Sequence, residues 1–336
     1  MIRSLLLCAA ALLGACSASI ADGPDQWREV AIEVRPVELG VEQVGQLRFR
    51  GGVEIASGDP VFGGLSGIEV LEDNRIIAIN DKGEWFEARL VLDDDGALTG
   101  VAGMRTAAMR DESGRVFRTK EEGDSEDVAQ LPDGRFAVSF EQTQTIRIYD
   151  LNRDGPFGAA VAGPVLARTG ALRENVGLEA IAAAANGAVL VGAEGGDEPT
   201  TGLWIAQVEA QGPPPGPWTG YPLAPGFSLT SLDRLPDGGG FVALERFYAP
   251  VIGARARITR FPDESLRETG EVMPGVEELA VLAPPMPVDN FEGVATQRMP
   301  DGATRIYIVS DDNFSRRQRT LLYAFDVVSS PSSPPR

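Results

Sequence analysis

Acidic residues recur at fixed positions around five short turn signals in this chain. Each signal is a pair drawn from Asp, Asn and Gly between two apolar runs, which is the strongest short-range indication of a β-hairpin. In a two-residue hairpin, positions whose numbers add to the same total as the turn pair face each other on one side of the sheet. The turn pairs are Asp73-Asn74, Asp133-Gly134, Asn186-Gly187, Asp237-Gly238 and Asp301-Gly302.

This register places an acid beside a polar partner at the open end of every hairpin. Three of the five pairs are acid against acid, which is unfavourable when facing Cβ atoms are roughly 5 Å apart. Either a cation lies between the carboxylates, or the side chains turn to solvent, or they bind backbone amides of the next loop. The predicted pairs are Glu126 with Glu141, Glu179 with Glu194, Glu292 with Asp311, Thr230 with Glu245, and Ser66 with Asp81.

These acids predict a calcium site, because calcium takes oxygen ligands whereas zinc and copper prefer nitrogen or sulfur. The tightest binding is expected at the last hairpin, where Asp312 and Asn313 add oxygen atoms next to Asp311. The alternative is that the same acids only hold neighbouring loops in place. The predicted metal ligands are Glu126, Glu141, Glu179, Glu194, Glu292 and Asp311, followed by Asp81 and Glu245.

The chain contains no His, which excludes a Ser-His-Asp triad and a His-ligated zinc hydrolase. Metal-assisted hydrolysis remains open, with a carboxylate accepting the proton of an attacking water. The residues predicted to be catalytic are Glu126, Glu179 and Glu292. Cationic side chains near these acids are predicted to bind an anionic substrate, although Arg246 is equally suited to an ion pair with an acid. These cations are Arg246, Lys82 and Arg316.

The turn signals also indicate the architecture. They recur 51 to 64 residues apart, a spacing that fits the four-stranded blades of a β-propeller. The 39 Gly and 24 Pro residues separate short runs rich in Val, Ile, Phe and Leu, which is typical of an all-β fold. Five units are visible, and a sixth is expected from residues 46–50 together with residues 320–326. The sequence therefore predicts six blades, with five or seven as alternatives.

The first residues resemble a bacterial lipoprotein signal. A short basic end is followed by an apolar run over residues 4–14, which leads into the motif Leu13-Gly14-Ala15-Cys16. The run is too short to span a bilayer. An ordinary signal cleaved near Ala15 is the alternative. The predicted organisation is a signal with a lipidated Cys16 (1–16), a tether (17–29), one propeller domain (30–328) and a disordered tail (329–336). The protein is thus expected to be exported and anchored to the cell envelope, facing the periplasm or the exterior.

The charge narrows the choice of partners. The net charge is −19, and it becomes −20 without the signal, whose only charged residue is Arg3. This excess disfavours nucleic acid and anionic lipid and favours cations. We expect a monomer that acts on a small anionic ester or phosphoester.

Short motifs occur in a fixed order at residues 63–68, 124–128, 177–181, 241–246, 290–293 and 310–313. This ordered series resembles the phytase-like family described as having esterase-like activity. The resemblance covers roughly residues 44–328 and implies a propeller and hydrolysis of an ester or phosphoester.

Two other hypotheses remain open. A calcium-assisted sugar-lactone hydrolase of the six-bladed kind is the second hypothesis, kept open by Asn175, Asn290 and Asn313. A propeller without catalysis that binds an envelope protein or glycan is the third.

Overall fold

The structure is a computed structural model that describes residues 26–166, 177–195, 198–209, 219–266 and 271–328. The predicted signal, Cys16, most of the tether, Asn175 and the tail 329–336 lie outside these residues. Among the residues that the structure describes, no helix has the length and apolar character needed to cross a membrane.

Strands dominate the described part of the chain, with one short α-helix, α1 (Lys120–Gly123), and two 3-10 turns (Gly155–Phe157 and Asp263–Ser265). In chain order the strands are β1 (Arg28–Glu29), β2 (Ile32–Pro36), β3 (Gln43–Val44), β4 (Leu47–Ser57), β5 (Leu65–Val70), β6 (Arg75–Asn80), β7 (Glu84–Leu92), β8 (Leu98–Ala108), β9 (Ser125–Gln130), β10 (Phe136–Phe140), β11 (Thr145–Tyr149), β12 (Val161–Ala162), β13 (Leu178–Ala183), β14 (Ala188–Ala193), β15 (Thr200–Gln207), β16 (Thr219–Pro222), β17 (Ser228–Arg234), β18 (Phe241–Ala249), β19 (Gly253–Phe261), β20 (Glu277–Leu282), β21 (Asn290–Arg298), β22 (Thr304–Asp311) and β23 (Thr320–Val327).

The strands form five antiparallel sheets, which are the blades of a β-propeller. Blade 1 contains β5 to β8 with β1 at its edge, blade 2 contains β9 to β12, blade 3 contains β13 to β16, and blade 4 contains β17 to β20. Blade 5 contains β21, β22 and β23 and is completed by β4, with β2 and β3 beside β4. The prediction of an all-β propeller fold is confirmed.

The predicted number of six blades is wrong, and the described residues form five. The early strand and the closing strand that were expected to build a sixth blade do pair with each other, as Leu322 with Val53 and Asp326 with Arg48. However, β23 also pairs with β22, so both strands belong to blade 5. Strands β4 and β23 therefore close the ring within blade 5 and do not add a blade. Strand β1, which lies within the predicted tether 17–29, pairs with β8 in blade 1.

The loops of the inner hairpins differ from the predicted two-residue turns. In blade 2 the Leu131 amide donates to the Arg135 carbonyl at 2.7 Å, and Gly134 has φ 85°. The loop therefore has three residues, a type I turn followed by a residue in the left-handed region. Blades 1, 3 and 5 have the same loop length, whereas the Leu235 amide of blade 4 donates to Gly240, which leaves a four-residue loop.

Each inner strand also contains a β-bulge near the open end of its hairpin. In blade 3, for example, Ala180 pairs with Gly192 but Leu178 pairs with Ala193, so Glu179 is the extra residue. A bulge re-aims the extra side chain and is common next to functional sites. The extra residues, one per blade, are Ser66, Glu126, Glu179, Thr230 and Glu292; in blade 2 the irregular stretch also includes Asp127.

Buried polar side chains tie the inner strands around the channel axis. The Asp127 carboxylate, in blade 2, accepts hydrogen bonds from the Ile181 amide of blade 3 at 3.0 Å and from the Ser231 hydroxyl and Leu232 amide of blade 4 at 3.0 and 3.2 Å. The Ser231 hydroxyl in turn accepts from the Val294 amide of blade 5 at 3.0 Å. One carboxylate and one hydroxyl thus connect four blades. Burial raises the pKa of Asp127 despite these donors.

Candidate functional site

The open ends of the inner hairpins meet at one end of the channel, which we call the site end. In each inner hairpin, one residue of the second strand, or the residue that follows that strand, lies opposite the position two residues before the bulge. In blade 2 the Glu141 amide donates to the Asp124 carbonyl at 2.9 Å, and in blade 5 Asn290 pairs with Asp311. Four acids and one arginine take these equivalent positions: Asp81, Glu141, Glu194, Arg246 and Asp311.

Three carboxylates of blade 2 form a tight group, which we call the acidic cluster. It consists of Asp124, Glu126 and Glu141, each of which offers an oxygen atom within 4.8 Å of the others. Asp124 is only 1% exposed. Its buried Oδ1 atom accepts no hydrogen bond among the described residues, but the Lys120 ammonium lies 3.4 Å from it as an ion pair. Three crowded carboxylates are costly to bury without compensating positive charge. The cluster therefore has the ligand type that suits a cation, and one ammonium group already lies beside it.

A lysine reaches the cluster from the loop that precedes it. Thr119 caps α1 by accepting the Glu122 amide, and this places Lys120 at the site end. The Lys120 ammonium lies 2.7 Å from Asp81 and 3.4 Å from Asp124. The Oδ1 atom of Asp81 is also buried without a hydrogen-bond donor among the described residues. Lys120 thus offsets part of the negative charge on the side of blades 1 and 2.

Arg246 plays the same role on the side of blades 3 to 5. Its guanidinium lies 3.0 Å from Glu194 and 2.5 Å from Glu292, and it also donates to Asn290 at 3.2 Å. The Asn290 amide group donates to Glu292 at 2.7 Å. The structure therefore shows Arg246 as an ion-pair partner of two acids, which was the alternative to its predicted role as a substrate clamp.

Burial and crowding of like charges raise the pKa values of these acids. The pKa values of Glu126 and Glu179 lie well above the usual range, first because both are buried and then because each faces other carboxylates. Burial raises the pKa of Glu141 to about 6, that of Asp311 to about 7, and that of Glu292 to about 8 even though Arg246 opposes the shift. At neutral pH the site thus contains both ionised and protonated carboxyl groups.

The stability of the metal-free protein should fall as the pH rises from 5 to 8. The folded pKa values of Glu141, Asp311 and Glu292 exceed the unfolded values, so the folded state binds more protons in this window and loses that advantage as they dissociate. We expect a loss of about 3 kcal/mol or more, since one pKa unit corresponds to about 1.4 kcal/mol. The free energy of unfolding, measured by urea denaturation with a chelator present, tests this.

The matched variants for this measurement are Glu292→Gln and Glu72→Gln. Glu292→Gln removes a titrating group and should flatten the pH dependence, whereas Glu72 is exposed in a turn and its replacement should leave the dependence unchanged. A metal-free stability that is constant or rises between pH 5 and 8 would contradict the raised pKa values.

Several predicted site residues lie elsewhere or have other partners. The predicted ligand Glu245 is fully buried and is bound by the Tyr221 hydroxyl and by Arg257, both at 2.6 Å, so it does not join the acids of the site end. Lys82 lies 3.0 Å above the ring of Phe314. Arg316 is exposed on the loop that follows β22.

The predicted cross-strand pairs are wrong in detail. Glu141 faces Asp124 and not Glu126, and Glu194 faces Gly177 and not Glu179. Among the described residues, the group of three carboxylates suited to a metal lies in blade 2, and not at the Glu292 hairpin where the tightest site was expected. Glu292 is already paired with Arg246, which explains the difference.

Sequence reasoning missed two residues of the site, namely Asp124 and Lys120. Asp124 lies two positions before Glu126, so the two side chains share a face of an extended strand, and this spacing was a usable signal. Lys120 is brought to the site by α1, a helix of four residues that has no clear periodic pattern in the sequence.

Comparison with known proteins gives a family match and several distant likenesses of structure. A family model described as "Esterase-like activity of phytase" matches residues 60–314. No curated protein matches the chain. Among solved structures, a protein provisionally assigned as a gluconolactonase has 13% identity and a TM-score of 0.40, covering 89% of this chain and 93% of that chain. The aldose sugar dehydrogenase of Streptomyces coelicolor has 14% identity and a TM-score of 0.39, covering 88% and 99%. Virginiamycin B lyase of Staphylococcus aureus has 10% identity and a TM-score of 0.37, covering 89% and 100%.

Proposed function

The chain belongs to the phytase-like family described by esterase-like activity, and we propose that it is a calcium-dependent hydrolase of phosphoesters or related esters. The observation that carries this proposal is the acidic cluster, in which three carboxylates offer oxygen atoms within 4.8 Å of one another and the buried Asp124 Oδ1 atom has an ion pair with Lys120 but no hydrogen bond among the described residues. Family membership supplies the reaction class, and the cluster supplies a place for the cation that such a reaction needs when His is absent.

The residues present fit a calcium ion. Asp124, Glu126 and Glu141 would hold it. Asp81 lies close to this group, because the Lys120 ammonium contacts both Asp81 and Asp124. The side chains of these four residues are carboxylates, whose oxygen atoms are ligands that calcium takes in proteins. When bound, calcium supplies positive charge to substrate oxygens and makes a water molecule more acidic.

The chain's own residues account for binding and proton transfer. Lys120 contacts Asp81 and Asp124 at the site end, so it is suited to bind the oxygens of an anionic substrate. Arg246 is engaged by Glu194 and Glu292 and holds these two acids in place. Glu292 has a pKa of about 8 and holds a proton at neutral pH that it can donate to a leaving group. Glu126 and Glu179 are the remaining candidates for accepting the proton of a water molecule, a role that requires their ionised form, which a bound cation would favour.

A paired assay with and without a chelator tests this function. We expect the purified protein to cleave p-nitrophenyl phosphate, p-nitrophenyl acetate or phytate with millimolar calcium, to lose this activity in EGTA, and to regain it when calcium is restored. Release of nitrophenol or phosphate is the measurement. If none of these compounds is cleaved while EGTA still lowers the melting temperature, calcium is structural and the propeller serves as a binding module.

The lactonase hypothesis receives less support from the structure. It assumed a six-bladed propeller, whereas the described residues form five blades. Of its predicted Asn ligands, Asn290 is hydrogen-bonded to Arg246 and Glu292.

The proposal also includes export and lipid anchoring at Cys16, which rest on the sequence of the first 16 residues. Mass spectrometry of the mature N-terminus tests that part.

A further inference from the structure

Three uncharged segments meet at the edge of blade 4 near the site end, and we call them the apolar edge. They are residues 224–227, 247–254 and 283–288. The rings of Phe227 and Phe247 lie 5.4 Å apart, and a Cβ atom placed on Gly253 would lie 3.7 Å from Pro284 Cγ. Charged residues make up 24% of the chain, and these three segments contain none. Such a continuous uncharged area is unusual for a protein surface exposed to water.

The central segment of the apolar edge projects from the propeller as a hairpin. Strands β18 and β19 remain paired from Phe247 with Arg255 to Ala249 with Gly253, whereas β17 pairs with β18 only as far as Ser228 and Arg246. The hairpin tip therefore extends past its own sheet. Its apolar side chains face solvent, with Val251 97% exposed, Tyr248 69% and Ile252 49%.

We infer that the apolar edge is a membrane-docking surface, which inserts the tip of this hairpin into the boundary between lipid headgroups and acyl chains. A protruding tip of aliphatic and aromatic side chains suits this boundary, and Arg255 at its base, 5.6 Å from the Phe247 ring, can reach the headgroups. Because the tip extends beyond its own sheet, it can enter a lipid surface without a complementary pocket. Because the net charge is −19, the expected surface is a neutral lipid bilayer, bound by apolar contact and not by charge.

Docking through the tip also fixes how the protein faces the bilayer. Arg246, one residue before Phe247, contacts Glu194 and Glu292 at the site end. The hairpin and the acids therefore project from the same end of the propeller, and docking turns that end toward the lipid headgroups. This inference does not depend on whether the site is catalytic.

Vesicle flotation tests the docking surface. The chain without residues 1–16 is used, since it lacks the lipidation site and retains every residue that the structure describes. We expect it to float with phosphatidylcholine vesicles and to remain bound in 0.5 M salt, since apolar contact is not screened. The double variant Val251→Asp, Ile252→Asp should lose at least 10-fold in bound fraction. Val165→Asp is the matched control, because Val165 is 73% exposed but lies after blade 2.

The variants change exposed side chains, so unaltered thermal unfolding should accompany them and confirm that the propeller is folded. The inference is overturned if the wild-type chain does not bind vesicles, or if the double variant binds as well as the wild type. It is also overturned if the wild type dimerises in the absence of vesicles and the double variant does not, since a second copy would then cover the apolar edge.

Discussion

The variant Asp124→Asn is expected to lose both ester hydrolysis and stabilisation by calcium. The substitution keeps the size of the side chain but replaces one carboxylate of the acidic cluster with a neutral amide. Asp124 is 1% exposed, and one of its oxygen atoms lies within 4.8 Å of oxygen atoms of Glu126 and Glu141, so the substitution removes one of the three carboxylates that would hold the ion. We expect kcat/KM to fall by about 100-fold or more, since changes even to outer partners of metal sites cost 10 to 100-fold. The rise in melting temperature with added calcium should disappear as well.

The control for this variant is Glu121→Gln, which changes an exposed acid of α1, the short helix that leads to the cluster. It should retain wild-type activity and the wild-type response to calcium. If Asp124→Asn keeps both properties, the acidic cluster does not hold the ion. If it loses the calcium response while the wild-type protein shows no hydrolysis, the cluster is a structural metal site.

The convergence of the acids was predictable from the sequence although the predicted register was wrong. In blades 1, 2, 3 and 5 the loop has one residue more than a two-residue turn, and the bulge adds another. A shift of one position turns a side chain to the opposite face of a sheet, but a shift of two positions restores the face. Glu141 and Glu194 therefore still lie at the site end, with new partners across the strand.

In blade 4 the bulge shifts the strand register by one position, but the loop adds no shift of its own. Its loop has four residues, and its register near the turn agrees with the predicted total, so only the bulge displaces it. The net shift of one position turns Glu245 toward Tyr221 and Arg257 and brings Arg246 to the site end in its place. One additional loop residue thus accounts for the presence of an arginine among four acids.

The three-residue loops were partly predictable from the sequence. Three of the turns read Pro-Asp-Gly, at residues 132–134, 236–238 and 300–302, and Pro before Asp-Gly favours a type I turn with Gly in the left-handed region. The bulges were not predictable, because they depend on contacts between blades. Gly67 illustrates this, since a Cβ atom there would lie 2.8 Å from the backbone of Asp127 in the next blade.

Replacement of Asp127 is expected to cause the largest loss of stability in the propeller. Asp127 is fully buried and accepts from Val128, Ile181, Ser231 and Leu232. In Asp127→Ala, the donors of blades 3 and 4 lose their acceptor in the interior, at about 1 to 3 kcal/mol for each unsatisfied group. We expect the free energy of unfolding to fall by about 3 to 5 kcal/mol, measured by urea denaturation.

Asp127→Asn distinguishes loss of the acceptor from loss of the charge. The three donors from blades 3 and 4 converge on one oxygen, Oδ2, while the other oxygen, Oδ1, accepts from the Val128 amide. An Asn side chain can keep its carbonyl oxygen at the first position, so it should cost about 1 to 2 kcal/mol. Asp94→Ala, at an exposed position, should change stability by less than about 0.5 kcal/mol. If Asp127→Asn costs as much as Asp127→Ala, the charge and not the acceptor geometry holds the blades together. If Asp127→Ala costs no more than Asp94→Ala, apolar packing between blades alone closes the ring.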